Sequence, residues 1–279
     1  MTTIHKKVGA VFCALAVILW CMAGTLVMLS ARAEDTGSLT IWCVKDDDIV
    51  SGMHWQIYRV GHRVDDDYVF EGDFAGYRAT LGDETKPMLE WDAETVADAG
   101  EALKKKAIAD KIKNRGEGYT NDSGELTFSD LESGLYLVWG DILKVGDTKT
   151  YVPSAIFFEV NSETENVLSA YPKIIPRTLN EDVVNYSVRK VWLNDEYQIQ
   201  NRAVSIVVER YRDNEYYDQI TLSEANDWTL EWQDDDTHEW FVYEKEIPEN
   251  YTVSYKDTHV QYLIINTYET PKDSDSSDK

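Results

Sequence analysis

The chain has 279 residues, with 51 Asp and Glu against 27 Lys and Arg, which gives a formal net charge of −24. Nucleic acid and anionic membranes carry the same sign of charge, so this composition argues against both as partners. Acidic runs at 46–48, 65–67 and 234–236 lack the D-x-[DN]-x-[DN]-G spacing of a calcium loop. We predict solvated loops there, and neither a metal site nor a cofactor.

The N-terminus has the pattern of an export signal. Two lysines precede an apolar run over 8–29, and an A-x-A motif ends at Ala33, before Glu34. We predict a signal peptide over 1–33, cleaved between these two residues, and export by the secretory pathway. An uncleaved membrane anchor stays open, because the run is long enough to span a bilayer. Cleavage would leave Cys43 as the single cysteine and therefore no internal disulfide.

The first half of the remaining chain predicts a β-sandwich over 37–173 with one helical insertion. Apolar and polar residues alternate with a period of two, broken by Gly, Asn and Asp. Asp92 is a candidate N-cap, and apolar residues at helical spacing follow it, so an amphipathic helix is expected over Asp92–Asn114, capping one end of the sandwich with lysines 104–106 in solvent. The predicted strands are Ser38–Val44, His54–Val60, Glu125–Phe128, Leu135–Trp139, Tyr151–Val160 and Val167–Tyr171.

The second half predicts another sandwich over 182–269. A linker is predicted over 174–181, where Pro172 just before it and Pro176 within it interrupt regular structure, and a polar tail over 270–279 has a disordered composition. About seven short strands over some 90 residues are typical of a small β-sandwich. These strands are Val184–Leu193, Ala203–Tyr211, Tyr216–Leu222, Trp228–Trp232, Glu239–Lys245, Tyr251–Tyr255 and Val260–Glu269.

Three polar residues fall on apolar strand faces of the second half. Lys190, Glu244 and Asn266 each share a face with aromatic and aliphatic residues, because side chains alternate along a strand. Burying an unpartnered amide costs about 2–7 kcal/mol, and buried charges are rare unless paired. A buried lysine–glutamate ion pair, hydrogen-bonded to the asparagine, is one interpretation.

The other interpretation is chemical. Burial lowers the pKa of a lysine and raises that of a glutamate, which favours a neutral amine and a neutral acid. An amine within about 3–3.5 Å of the Asn266 carbonyl has a near-attack geometry. Glu244 would polarise the carbonyl, move the proton and assist the loss of ammonia. The product is an isopeptide bond between Lys190 and Asn266, joining the first and last strands.

A resemblance to a known protein family bears on which of these two interpretations applies. The segments VRKVW (188–192), TLSEANDWTLEW (221–232), WFVYE (240–244), IPENYTVSY (247–255) and LIINTYE (263–269) resemble the collagen-adhesin B-type repeat (Cna B-type) of Gram-positive surface proteins, in order and spacing, across Val184–Glu269. The resemblance implies an internal isopeptide bond between Lys190 and Asn266, with Glu244 as its catalytic acid.

The first half resembles the prealbumin-like pilin domain across Gly37–Lys173. The segments that carry this resemblance are GSLTIWC (37–43), HWQIYRV (54–60), GDFAGY (72–77), TNDSGELTFSDLESGLYLV (120–138) and SAYPKI (169–174). Cys43 stands where that family holds its lysine, and Gly140 where it holds its acid. We therefore expect no isopeptide bond here, and Cys43 as a small buried residue rather than a reactive thiol. The fold class predicted for the whole is all-β, with two tandem Ig-like or prealbumin-like sandwiches.

AYPK at 170–173 is similar to the pilin motif whose lysine accepts the sortase-transferred subunit. Lys173 is therefore a candidate acceptor, with an ordinary strand-end lysine as the alternative. No LPxTG signal occurs, and the IPRTL segment at 175–179 lacks the glycine and lies between domains. We do not expect this chain to act as a sortase donor.

The predicted function is that of an exported structural protein on the surface of a Gram-positive bacterium, a pilin-like subunit or an adhesin stalk. Other surface or pilin subunits and host matrix components are the expected partners. The alternative is a ligand-binding adhesin that recognises matrix protein or glycan through aromatic residues such as Trp91, Tyr216 and Tyr217. No H-E-x-x-H, G-x-S-x-G or Walker motif occurs, so we expect no enzyme beyond single-turnover self-crosslinking.

Overall fold

The computed structural model describes residues 36–45, 48–77, 86–161, 167–179, 182–197 and 199–270. Within these ranges the chain is all-β with one α-helix, α1 (Ala93–Ala109), which confirms the predicted fold class. Ala33, Glu34, the signal segment and nearly all of the predicted tail lie outside the described residues. No helix in the described part is both long enough and apolar enough to cross a membrane.

The strands are numbered in chain order. The first unit contains β1 (Gly37–Trp42), β2 (Val44–Lys45), β3 (Asp48–Ile49), β4 (His54–Val64), β5 (Asp67–Phe70), β6 (Gly116–Tyr119), β7 (Glu125–Leu131), β8 (Gly134–Gly140), β9 (Leu143–Val145), β10 (Lys149–Pro153), β11 (Ile156–Val160), β12 (Val167–Ala170) and β13 (Ile174–Thr178). The second contains β14 (Val183–Leu193), β15 (Ser205–Arg212), β16 (Glu215–Ser223), β17 (Thr229–Asp235), β18 (Trp240–Glu244), β19 (Tyr251–Asp257) and β20 (Gln261–Tyr268).

The first unit packs two sheets around one core. The order β12-β1-β7 forms one sheet, and β11-β8-β4-β5, with β6 also paired to β4, forms the other. Alternation along the strands turns Leu39, Ile41, Trp55 and Ile57 into the space between them. Strand β8 is buried at every position, because its second face is covered as well. This two-sided burial explains why β8 reads as a continuous apolar run instead of an alternating one.

Helix α1 covers that second face. The Asp92 carboxylate accepts a hydrogen bond from the Thr95 N–H (2.7 Å), which is the predicted N-cap. The helix ends at Ala109, earlier than predicted, and Lys111 follows in the left-handed region with φ of 54°. Instead of capping one end of the sandwich, α1 contacts β11 of the first unit and β18 and β19 of the second.

The predicted linker is largely a strand. β13 pairs antiparallel with β10 of the first unit, and Ile174 is buried. Arg177 in the same strand reaches the second unit, where its guanidinium forms ion pairs with Asp236 (3.1 Å) and Glu239. The segment that joins the two units is therefore held by both of them.

The second unit is a sandwich of a four-stranded and a three-stranded sheet. The orders are β17-β14-β20-β19 and β16-β15-β18. The first strand, β14, and the last, β20, are parallel neighbours, with Lys190 opposite Ile264 and Trp192 opposite Asn266. Val188, Val208, Val242 and Ile264 belong to the core, among residues from both sheets. The two ends of this unit therefore meet side by side in one sheet.

Candidate functional site: a buried polar triad

The structure brings together the three polar residues of the second unit. Lys190 lies on β14, and Asn266 lies on the neighbouring strand β20, close to it in register. Glu244 is the last residue of β18 in the facing sheet. All three point into the space between the sheets, because each takes the inward position of its strand's alternation.

The Glu244 carboxylate binds the other two side chains, one on each oxygen. Lys190 Nζ donates to Glu244 Oε2 (2.9 Å), and Asn266 Nδ2 donates to Glu244 Oε1 (3.0 Å). The side chains of Lys190 and Glu244 have no exposed surface. Asn266 Oδ1 is buried without a hydrogen-bond partner among the described residues. The carboxylate thus holds an amine beside an amide whose carbonyl is left unsatisfied.

Burial changes the proton affinity of both ionisable groups. Desolvation lowers the pKa of Lys190 to about 8, although the charge and hydrogen bond of Glu244 oppose the shift. Desolvation raises the pKa of Glu244, against the opposing effects of Lys190 and Asn266. The lowered pKa of Lys190 increases the fraction of this amine that is neutral near pH 7. The pair therefore has access to the neutral amine and neutral acid that amide chemistry needs.

Aromatic rings cover the amine. Lys190 Nζ lies 4.7 Å from the centroid of the Trp192 ring, and Trp192 contacts Trp228 and Tyr251 edge to face. The Arg202 guanidinium lies 5.8 Å from the same Trp192 ring. This packing keeps water from the site.

A hydrogen-bonded group of Asp195, Arg202 and Tyr251 lies next to these aromatic rings, and no pattern in the sequence predicts it. Asp195, almost fully buried, accepts two hydrogen bonds from Arg202 (2.5 and 2.6 Å) and one from the Tyr251 hydroxyl (2.9 Å). These bonds hold the pKa of Asp195 below its usual range, with the Arg202 hydrogen bonds as the main cause. Asp and Arg seven residues apart in a loop give no periodic signal, so only the folded chain pairs them.

The first unit has a tryptophan where such a pair would stand. Cys43 is buried as a free thiol, and desolvation raises its pKa to about 11, partly offset by the neighbouring Trp55 side chain. A Cβ added at Gly140 would lie 2.9 Å from the Trp55 ring and 2.9 Å from Pro153. Trp55 thus contacts both positions, and no side chain fits at residue 140 without a shift of its neighbours.

Gly140→Ala is therefore expected to destabilise the protein by about 1–3 kcal/mol through overpacking. Chemical denaturation monitored by tryptophan fluorescence measures the change. Gly116→Ala is the matched control, because the nearest atom to its added Cβ is 3.5 Å away, an ordinary contact. Equal stability of the two variants would contradict the close packing of Trp55 against Gly140.

The remaining predicted residues lie apart from the triad. Lys173 is exposed between β12 and β13 in the first unit. Tyr216 and Tyr217 are half exposed on β16, which is an edge strand among the described residues, and the guanidinium of Arg212 lies 5.0 Å from the Tyr217 ring. Trp91 is partly buried, with its indole N–H donating to the Lys86 carbonyl. For the described residues, no group of three or more His, Cys, Asp or Glu side chains is arranged to hold a metal.

The fold and the triad define a class: a β-sandwich whose first and last strands are parallel neighbours, with a buried Lys–Glu–Asn set between its sheets. Residues 186–267 match the family described as the Cna protein B-type domain, and this part of the chain is such a domain. The matched range contains all three triad residues. No curated protein sequence matches the chain.

Solved structures similar to this chain come from Gram-positive surface proteins, at low identity. A single B repeat unit of the collagen-binding surface protein Cna of Staphylococcus aureus is 15% identical, covering 84% of this chain and 100% of its own, with a TM-score of 0.30. GBS52, the minor pilin of the Gram-positive pathogen Streptococcus agalactiae, is 14% identical, covering 87% and 100%, at 0.27. The shaft pilin SpaA of Lactobacillus rhamnosus GG is 12% identical, covering 85% and 99%, at 0.30. At TM-scores this low, these similarities do not indicate the function of this chain.

Proposed function

We propose that this protein is an exported structural protein of a Gram-positive cell surface, a pilin-like subunit or an adhesin stalk. Its second unit would be held by an isopeptide bond that the domain makes once on itself, between Lys190 and Asn266, with Glu244 as the catalytic acid. The observation that carries the proposal is the triad, in which a fully buried carboxylate binds both the amine and the amide. The Cna protein B-type domain at 186–267 supports the structural role.

The reaction balances within the three side chains. The neutral Lys190 Nζ attacks Asn266 Cγ, and a bond forms between them as the Cγ–Nδ2 bond breaks. The proton released by the amine passes through Glu244 to Nδ2, which leaves as ammonia. The hydrogen bond from Nδ2 to the carboxylate lies where this transfer is required. Glu244 ends in the same protonation state in which it began.

The position of the bond fits a protein under load. β14 is the first strand of the second unit and follows β13, which contacts both units. β20 is the last strand of the second unit. A bond between these two parallel neighbours gives a covalent path that bypasses about 76 residues, so pulling on the ends would not unravel the strands between them. Catalysis of other molecules is not part of the proposal, because the reaction consumes its own side chains.

The mass of the mature protein tests this proposal. We expect the native chain to be lighter than its sequence mass by about 17 Da, the ammonia lost in the reaction. The same spectrum shows whether the chain begins at Glu34, as the predicted cleavage requires. Tandem mass spectrometry of a digest should find peptides containing Lys190 and Asn266 joined. A mature chain of full mass would overturn the isopeptide bond.

Binding to a host matrix protein or glycan is the second candidate. The half-exposed pair Tyr216 and Tyr217 on the edge strand β16 favours it, since tyrosine is enriched at recognition surfaces. Screening the full chain against matrix proteins and glycans separates a binding adhesin from a stalk. Peptide mapping of native surface material tests the proposal that Lys173 is joined to another subunit.

A further inference from the structure

One tyrosine connects the catalytic acid to the first unit. The Tyr255 hydroxyl accepts a hydrogen bond from the Glu244 backbone N–H at 3.1 Å, and both residues are buried. The next N–H along the chain, that of Lys245 just after β18, donates to the Val207 carbonyl on β15. Successive N–H groups of a strand point to opposite sides, so the Glu244 N–H faces the side of β18 away from β15. Among the described residues no strand pairs there, and Tyr255 supplies the acceptor instead.

Helix α1 of the first unit covers the ring of this tyrosine. Lys105 Nζ lies 4.5 Å from the centroid of the Tyr255 ring and forms an ion pair with Asp257 on the same strand. The Lys105 side chain is only 5% exposed. The prediction that lysines 104–106 all face solvent is therefore wrong for Lys105, which is buried in the contact between the two units. A lysine is buried only when it is paired, so this contact is specific.

A second tyrosine reaches the same place from the first unit. Tyr77 is buried, and its hydroxyl donates to the Ala102 carbonyl of α1 (3.4 Å). Burial is the main cause that raises the pKa of Tyr77 well above its usual range, with smaller contributions from Tyr243, Asp110 and Glu244. Tyr77 of the first unit thus belongs to the same buried cluster as Tyr243 and Tyr255 of the second.

We propose that docking of the first unit is a step in the maturation of the second. α1 closes the open side of β18, and Lys105 and Tyr255 act as positioning residues that hold Glu244 in place for the cross-link. This inference rests on the proposed isopeptide bond and adds a dependence that the triad alone does not require. Before docking, water reaches Tyr255 and the end of β18, and Glu244 is held less firmly.

The test follows cross-linking in the full chain during folding. Protein recovered in denaturant directly after synthesis is diluted into buffer, and intact mass against time gives the rate of ammonia loss. Tyr255→Phe and Lys105→Met are each expected to slow this rate roughly ten- to hundredfold, the effect of misplacing a catalytic group by about 1 Å. Lys105→Arg, which keeps the cation, should restore most of the rate.

Matched controls separate positioning from a general loss of stability. Tyr262→Phe removes the hydroxyl of another buried tyrosine, which donates to the His259 carbonyl (3.0 Å). Lys113→Met removes an exposed lysine four residues after the end of α1. Both controls should cross-link at the native rate.

The pH dependence of the rate gives a readout that simple destabilisation does not move. The rate falls at low pH as Lys190 becomes protonated, and burial is what lowers the pKa of this amine. Water entering a loosened site weakens that effect, so the acid limb should move to higher pH in Tyr255→Phe and Lys105→Met but not in the controls. Native rates and profiles in these two variants would overturn the role of docking. Absence of ammonia loss in the native chain would overturn the isopeptide bond itself.

Discussion

Asn266→Ala is expected to leave the mature chain at its full mass and to lower its free energy of unfolding by about 4.5 kcal/mol. The figure follows from losing a cross-link that closes a loop of about 76 residues, in the chain-entropy account of such links. The substitution also leaves Lys190 as a free amine on Glu244. Intact mass and chemical denaturation, in parallel with the native chain, measure the two effects.

Asn185→Ala provides the control for this experiment. Asn185 lies on β14, the strand that carries Lys190, but it is exposed and accepts a hydrogen bond from Gln233 (2.8 Å). Surface changes of this kind stay within about 0.5 kcal/mol. A stability of Asn266→Ala equal to that of Asn185→Ala would mean that no covalent link closes the unit.

Glu244→Ala is expected to have the largest effect. It removes the acid, so the cross-link cannot form, and it leaves Lys190 buried without its partner, which costs about 3–5 kcal/mol. The chain should keep its full mass and unfold at a much lower denaturant concentration. Lys190 is expected to lose its proton in the folded variant, since desolvation then acts without an opposing carboxylate.

Glu244→Gln distinguishes shape from chemistry at this position. The amide has nearly the shape of the carboxyl group and can accept a hydrogen bond, but it cannot carry the proton from the amine to the leaving ammonia. Full mass is expected here too. Glu209→Gln is the control, because Glu209 is a buried glutamate on β15 that binds Lys245 and Tyr211 outside the triad. Ammonia loss in Glu244→Gln would show that the acid role is wrongly assigned.

The triad was predictable because the period of a strand is fixed. Side chains alternate with a period of two, so Lys190, Glu244 and Asn266 each stood out as a polar residue in an apolar row. In the structure, Glu244 is hydrogen-bonded to both Lys190 and Asn266. Strand periodicity alone does not show that the three residues form one site. Lys190 and Glu244 are 54 residues apart and Glu244 and Asn266 are 22 apart, so only long-range strand pairing brings them together.

The contact between the units was not predictable in the same way. Helical spacing identifies the apolar stripe of α1. A lysine beside that stripe is predicted to be exposed to solvent unless its ion-pair partner is known. Lys105 is buried because Asp257, 152 residues away, receives its charge. The strand β13 was missed for a related reason. Pro172 before it and Pro176 in its middle predict a break in local structure, yet β13 pairs with β10 as an edge strand among the described residues.

Trp55 gives the two units different mechanical characters. It fills the space between Cys43 and Gly140, so the first unit depends on packing and hydrogen bonds that reform after they break. The covalent link proposed for the second unit would not reform after breaking, but it would resist forces that separate packed strands. If that bond forms, the two units in series would respond differently to a sudden pull: the packed unit would extend and absorb energy, while the cross-linked unit would keep its length. A surface protein with one packed unit and one cross-linked unit would extend under force and refold afterwards without breaking its chain.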